Sequence, residues 1–347
     1  MDMLNTISLS TPAELLAATP HMLGFYPTES LVLSTLHRRE STTQLGMTLR
    51  VDLPNSTYAQ EFADYLLTGP FEQHPVDAVI MLLITDNASP GLPHTELVTT
   101  LRDTLNQASI STLDALWAPA IREGAPWRSY LDPTRSGTLP NPAISPLAAA
   151  QAVRGSTTRP SRQDLHALIA AEDSEQALSA KLAALRSQPI PAPSETLPHR
   201  IHTVREALQA TAAGKSLSEE QLLRVLIAVA DTRVRDLALS AALGDWSQAA
   251  DELWRTLIRK APTPERGEVA SLLAVHAYLC GDGPLARVVL ENLEQSQPDH
   301  RLGALLHQAL DQGIPPAELI TLVNGAAHGI LEELGWGTNP FTASTQA

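Results

Sequence analysis

Hydrophobic residues recur at strand spacing in the first third of the chain and at helical spacing beyond residue 199. A helix is predicted over residues 11–19. Ser10 or Thr11 supplies its N-cap, Pro12 suits its first turn and Glu14 lies just behind. The loop Pro20–Pro27 follows. Residues 30–37 (SLVLSTLH) and 44–53 (QLGMTLRVDL) alternate or run apolar as strands do, and the polar residues between them suit a hairpin. Residues 57–68 read as a helix. Residues 76–85 (VDAVIMLLIT) are a near-continuous apolar run, the pattern of a strand buried on both faces. Residues 94–108 carry Leu97, Leu101 and Leu105 on one side of a helix. A strand over 111–121 and a last one at Trp127–Leu131 complete the set. The expectation is a mixed α/β domain of about five strands over residues 1–131.

Residues 132–198 read as a linker with short helices. The run DPTRSGTLPNPAISP at 132–146 is rich in turn formers, and SQPIPAPSETLP at 187–198 is a proline-rich break. Short helices are expected over 146–154 and 161–171, the second with Ser161 as N-cap.

Residues 199–336 are predicted to be all-α. Ser218 with Gln221 matches a capping box, and Leu222, Leu223, Leu226 and Val229 follow at helical spacing. Two later segments resemble each other, one starting at Leu243 and one at Cys280. Their Gly244-Asp245 and Gly281-Asp282 pairs lie 37 residues apart. That spacing is close to the roughly 34-residue tetratricopeptide repeat. Leu273, Ala277, Ala286, Leu290 and Pro298 stand where such a repeat wants large, small, small, large and proline. Ordinary helical hairpins in one bundle give the same pattern, and both readings stay open. A further helix pair, 300–312 and 315–326, is joined by Gly313-Ile314-Pro315-Pro316. The tail 337–347 is expected to be disordered.

Composition narrows the function classes. The chain has 347 residues and a 44 % hydrophobic fraction, ordinary for a globular protein. No apolar run approaches the roughly 18 residues that span a bilayer. The first residues lack a basic segment followed by an apolar one, so no signal peptide is read and cytoplasmic residence is expected. The net charge of −14, with no dense Lys/Arg run, argues against nucleic-acid binding. Cys280 is the single cysteine, which rules out an internal disulfide and a cysteine zinc cluster; its place after an apolar run predicts a buried, inert thiol. No phosphate loop, dinucleotide fingerprint, H-E-x-x-H or G-x-S-x-G motif is present. His199 and His202 are three apart without an evident third ligand, so no metal site is read, and no cofactor is expected.

Several short pieces carry a resemblance. They are Thr11–Leu16 (TPAELL), Pro20–Phe25 (PHMLGF), Pro27, Ser30–Val32, Leu49–Pro54 (LRVDLP), Gly281–Gly283 with Leu285-Ala286, and Gly313–Pro316 (GIPP). On these the chain resembles the actinobacterial domain-of-unknown-function family numbered 4192, over roughly residues 9–325. The resemblance implies membership and no activity. Family members often carry a cysteine cluster after a Trp-rich strand. The corresponding stretch here, Trp127–Gly137, has none, so a metal or redox role of that cluster would be lost in this chain.

The candidate ligand-binding residues are His21, Tyr26, Arg50, Asp52, Asp86, Trp127, Arg128 and Tyr130. His21, Tyr26 and Ser30 could line a pocket, or the loop could turn at Gly24 while Phe25 fills the core. Arg50 and Asp52 alternate with Val51 and Leu53 and so share one strand face. They could hold a polar ligand at a sheet edge or form a local ion pair. Asp86 closes the most apolar strand, as a site residue or as a turn former. Trp127, Arg128 and Tyr130 could stack on a ligand or anchor an edge strand. Asp231, Arg233, Arg235 and Asp236 read as an inter-helix ion network. No catalytic motif emerges. The first expectation is a protein-interaction or adaptor module that offers its C-terminal helices to a partner. The alternative is a small-ligand sensor or enzyme with a site at the strand ends.

Overall fold

The computed structural model describes residues 9–39, 42–72, 76–87, 91–153, 158–172, 175–187 and 196–342. The expected hairpin tip at 40–41, most of the proline-rich break and the last five residues lie outside them. The chain forms two compact units, Met1–Asp164 with Asp311–Gly313, and Leu165–Leu310 with Ile314–Ala347.

The first unit is a mixed α/β domain of six strands, one more than expected. Helix α1 (Pro12–Leu23) opens with a capping box. The Thr11 hydroxyl accepts the Glu14 N–H at 3.2 Å, and the Glu14 carboxylate accepts the Thr11 N–H at 3.2 Å. The helix runs through Pro20, where a loop was expected, and ends at Gly24 with φ 74°. Proline removes one helix hydrogen bond. Burial of Leu16, Ala18, Pro20 and Leu23 offsets that loss.

The strands are β1 (Ser30–Arg39), β2 (Thr42–Asp52), β3 (Ala78–Ile84), β4 (Ser111–Ala118), β5 (Pro126–Ser129) and β6 (Ser136–Thr138). Their order across the sheet is β2-β1-β3-β4-β5-β6. β3 and β4 are parallel and every other neighbouring pair is antiparallel. A parallel pair needs a crossover, which α3 (Thr95–Gln107) supplies. Leu31, Leu33, Met81 and Leu83 form one core face with Leu97, Leu101 and Leu105 of α3 and with Ala63 and Leu66 of α2 (Ala59–Thr68). Val32, Leu82 and Ile84 are buried as well, which explains why β3 has no polar side.

The expected domain end at residue 131 is not where this unit stops. β6 pairs with β5, and α4 (Pro146–Val153) packs against α1. Arg159 exchanges backbone hydrogen bonds with Gly24 and Tyr26, at 2.7 and 3.0 Å. β6 escaped detection because Ser136, Gly137 and Thr138 are exposed and carry no hydrophobic signal.

The chain then passes through α5 (Arg162–Leu168), and the rest of the second unit is helical. It contains α6 (Glu175–Ser187), α7 (Leu197–Ala212), α8 (Glu219–Val229), α9 (Thr232–Ala238), α10 (Ser247–Lys260), α11 (Glu265–Leu279), α12 (Gly283–Ser296), α13 (Arg301–Asp311) and α14 (Pro316–Leu334). The Ser218/Gln221 capping box forms as predicted at the start of α8. α11 is buried almost all round and packs against α8, α9, α10, α12 and α14. Its buried Arg266 donates to the carbonyls of Ile258 and Ile169, at 2.6 and 2.5 Å. Gly244 ends the 3-10 turn before α10, and Asp282 caps α12 by accepting the Leu285 N–H at 3.1 Å.

The predicted ion network is present and wider than its four residues. Asp231 meets Arg200 and Arg233, Arg233 also meets Glu333, and Arg235 meets Asp236 and Glu268.

Residues 337–342, the described part of the tail expected to be disordered over 337–347, make specific contacts. The Asn339 amide donates to Ser240 Oγ at 2.8 Å, its carbonyl accepts the Phe341 N–H at 2.9 Å, and Phe341 is fully buried.

Candidate functional site

The strand register places several predicted residues on one edge of the sheet. Ser30 pairs with both Asp52 and Ile84, and Ile84 pairs with Ala118. This row is the carboxyl end of the parallel pair β3 and β4, where open α/β sheets bind ligands. Asp52 ends β2 there, and Asp86 follows β3.

Arg50 and Asp52 share a face, as their alternation predicted, and Arg50 Nη1 meets Asp52 Oδ1 at 2.7 Å. Arg50 Nε also donates to Ser30 Oγ at 2.9 Å, and its guanidinium lies 5.8 Å from the centre of the Phe25 ring. Asp52 keeps its side chain 82 % exposed.

Glu29 ties the strand ends together. It has φ 42°, unusual for a residue with a side chain. Its carboxylate accepts the Thr85 hydroxyl at 2.9 Å and the Asp86 N–H at 3.2 Å, and its carbonyl accepts the Leu53 N–H at 2.9 Å. The Trp117 indole donates to the Thr85 carbonyl at 3.1 Å. Sequence reasoning missed Glu29 because a single acidic residue ahead of a strand has no periodic signature.

The remaining candidates do not join this edge as one constellation. His21 is buried in the last turn of α1, with Nε2 2.8 Å from the Pro142 carbonyl and Nδ1 2.6 Å from the Thr158 hydroxyl. A carbonyl only accepts, so Nε2 carries the proton and Nδ1 accepts from Thr158. The imidazole is thereby used to fasten Pro142 and Thr158 to α1. Tyr26 meets the His21 ring edge-on at 6.5 Å. Trp127 is buried on β5 over Gly137. Arg128 pairs with Trp117 and points to the other side of the sheet from Trp127. Tyr130 donates to the Pro93 carbonyl at 2.7 Å, and burial pushes its phenol above the usual range.

The sequence is assigned by a match that spans most of its length. A family model described as a domain of unknown function (DUF4192) covers residues 12–317. The chain belongs to this family. No curated protein and no solved structure matches it. The DUF4192 match covers the sheet of the first unit and most of the helices of the second.

The helical unit of this DUF4192 member presents a different kind of surface. α14 buries Leu319, Val323, Ala327 and Ile330 along one stripe. The flank beside that stripe exposes Leu322, Gly325, Ala326 and Gly329. Leu322 is 65 % exposed, and an added Cβ at Gly325 or Gly329 would meet only open space.

Among the described residues, no group of three His, Cys, Asp or Glu could hold a metal ion. His202 instead pairs with Glu206 at 3.2 Å. Cys280 is exposed rather than buried, because it caps α11 at a turn. Its Sγ lies 3.5 Å from Nε2 of the buried His276. Partial desolvation still pushes the thiol up, and burial pushes the His276 imidazole down, so the pair favours neutral forms.

Proposed function

We propose that the chain is a protein-interaction module whose helical unit receives a partner helix along the exposed side of α14. The observation that carries this reading is the stripe Leu322, Gly325, Ala326 and Gly329. Small residues let two helix backbones approach closely, and a neighbouring leucine supplies an apolar anchor. Single exposed leucines are ordinary, but a leucine beside three small residues on one helix side is a packing surface without a partner. Gly-Asp turns 37 residues apart, one before α10 and one before α12, and the packing of α11 against both α10 and α12 support a tetratricopeptide-like layout behind this surface.

The test is site-specific photocrosslinking from Ala326, with a second probe at the exposed Tyr58 of the other unit as control. The reading expects an adduct from Ala326 alone, lost in Leu322→Glu and in Gly325→Leu. Replacing an exposed helical glycine by leucine favours the helix, so loss of the adduct is not loss of fold. Equal adducts from both probes, or adducts indifferent to both substitutions, sink it.

A second reading places a small-ligand site at the sheet edge near Arg50, Asp52 and Asp86. The strained Glu29 backbone at the carboxyl ends of the strands favours it. A thermal-shift screen against nucleotides, metals and metabolites tests it. A stabilising hit abolished by Arg50→Ala is its expected signature.

A further inference from the structure

β2 is the outermost strand on its side of the sheet, so one row of its backbone groups faces no further strand among the described residues. The Leu53 N–H donates to the Glu29 carbonyl at 2.9 Å, which sets the alternation. Leu53, Val51 and Leu49 turn their backbone groups inward to β1, and Arg50 and Asp52 turn theirs outward. An open edge of this kind is a template for another strand. It is open over a short window. The pairing of β1 with β2 steps from Ser34 and Thr48 to Leu36 and Leu45, which leaves Thr35 opposite both Gly46 and Met47. This bulge bends β2 and breaks its edge at one end of the window. At the other end Pro54 has no N–H to offer.

The window fits a second copy of itself. Leu49-Arg50-Val51-Asp52-Leu53 reads apolar, positive, apolar, negative, apolar. Laid antiparallel on its own copy about a two-fold axis through Val51, Arg50 stands opposite Asp52 of the second copy, and Asp52 opposite its Arg50. Opposite charges so placed stabilise a strand pair, and like charges weaken it. Moving the axis to Arg50 or to Asp52 sets two arginines or two aspartates face to face, so charge selects this register. The same axis makes Arg50 and Asp52, whose backbone groups point outward, the hydrogen-bonded pairs. Asp52 is 82 % exposed and so can meet the second copy, while Arg50 keeps Ser30 and its own Asp52. On the other face of the strand Leu49 meets Leu53 and Val51 meets Val51, and all three are half-buried at the margin of the core.

Helix α2 brings apolar surface to the same margin. α3 connects β3 to β4, so its neighbour α2 covers β1 and β2. Gln60 of α2 accepts the Thr104 hydroxyl of α3 at 3.0 Å, which fixes the side of α2 that faces α3. Phe62 and Tyr65 lie on the opposite side, towards β2. Their rings stack with centres 6.5 Å apart, and Tyr65 is 51 % exposed. A second α2 across the axis would cover them.

We propose that the chain forms a two-fold dimer in which residues 49–53 of β2 pair with the same residues of a second copy, joining two sheets into one. The contact lies wholly in the first unit and is independent of the α14 surface.

Sedimentation equilibrium of the full chain tests it, with amide hydrogen exchange as a second reading. The expected result is a monomer–dimer equilibrium with a dissociation constant below about 100 µM. The Asp52 amide should exchange more slowly as the protein concentration rises. Asp52→Pro removes an outward N–H and leaves the inward bond of Leu53, so it should keep the parent's circular dichroism and weaken the dimer roughly tenfold or more. Arg50→Asp and Asp52→Arg each set like charges across the axis and should each be monomeric. Mixed in equal amounts, they set opposite charges across it again and should form a heterodimer. The side chain of Asp52 is exposed, so its two variants carry the test even if the Arg50 variant fails to fold. A monomer at every concentration up to about 100 µM, or a dimer indifferent to both Asp52 variants, overturns the proposal. So does a dimer kept in Asp52→Pro and lost in Leu322→Glu, which would place the second copy on α14.

Discussion

Gly137 lies directly across from Trp127 in the β5–β6 pair, and a Cβ added to it would stand 2.9 Å from the indole nitrogen. Trp127 is thus buried against a strand that has no side chain at the point of contact. Gly137→Ala should therefore destabilise by about 1–3 kcal/mol, since the ring has no room to withdraw. Denaturant unfolding monitored by fluorescence measures it. Gly325→Ala, which meets nothing within 4 Å on an exposed helix, is the opposite case and should stabilise by about 0.5–1 kcal/mol.

His21 separates a fastening role from a ligand role. Its two ring nitrogens engage Pro142 and Thr158, which are 121 and 137 residues away. His21→Ala leaves the Pro142 carbonyl with only the Ser145 N–H, removes a partner of the Thr158 hydroxyl and opens a buried void, a combined cost of about 1–3 kcal/mol. The expected outcome is a lower unfolding midpoint with faster hydrogen exchange at residues 143–145 and at Arg159, whose N–H donates to Gly24. A variant as stable as the parent would mean that the imidazole is free for other work.

These two residues also show where the sequence could be read and where it could not. The apolar run of β3 and the capping boxes at Thr11 and Ser218 are local signals, and each produced its element. The Arg50–Asp52 pair was legible because strand alternation fixes which residues share a face. β6 was not legible, because its three exposed residues include no hydrophobic and hold their place through backbone pairing with β5 and through Trp127 above Gly137. Proline at position 20 pointed to a loop, but the apolar side of α1 outweighs one missing hydrogen bond. His21 and Glu29 act through partners distant in sequence, and no spacing announces such contacts. The exposed side of α14 was hidden for another reason: its small residues read equally well as buried.

Glu268 links stability to pH. Burial acts to raise its carboxyl pKa, but hydrogen bonds from His300 and Arg235 and the Arg235 charge outweigh burial and hold it below the ordinary range. A carboxylate with a lowered folded-state pKa stabilises the fold above its unfolded pKa of about 4.3, and that contribution is lost as pH falls through the folded value. Glu268→Gln should therefore lower the melting temperature near neutral pH. The gap to the parent should close as the pH falls below about 4. Melting curves of both proteins across this window check the sign. A gap that widens in acid would show that the charge on Glu268 is not what supports the Arg235 contact.

The segment after α14 gives the strongest prediction, because one side chain carries it. Phe341 is fully buried although the residues before it are mostly polar or glycine. Asn339 prepares its entry by bonding Ser240 on one side and the Phe341 N–H on the other. Gly244 permits it, since a Cβ there would lie 2.6 Å from the Thr342 Cα. Removing a fully buried aromatic side chain costs about 3–5 kcal/mol. Phe341→Ala should release the segment after α14 and open it to protease within residues 337–342. Gly244→Ala should do the same from the other side of the contact, by backbone collision rather than by a void. Both variants should also open the cleft between α7 and this segment. Retained protease resistance in both variants would show that the segment is held elsewhere and that Phe341 is not its anchor.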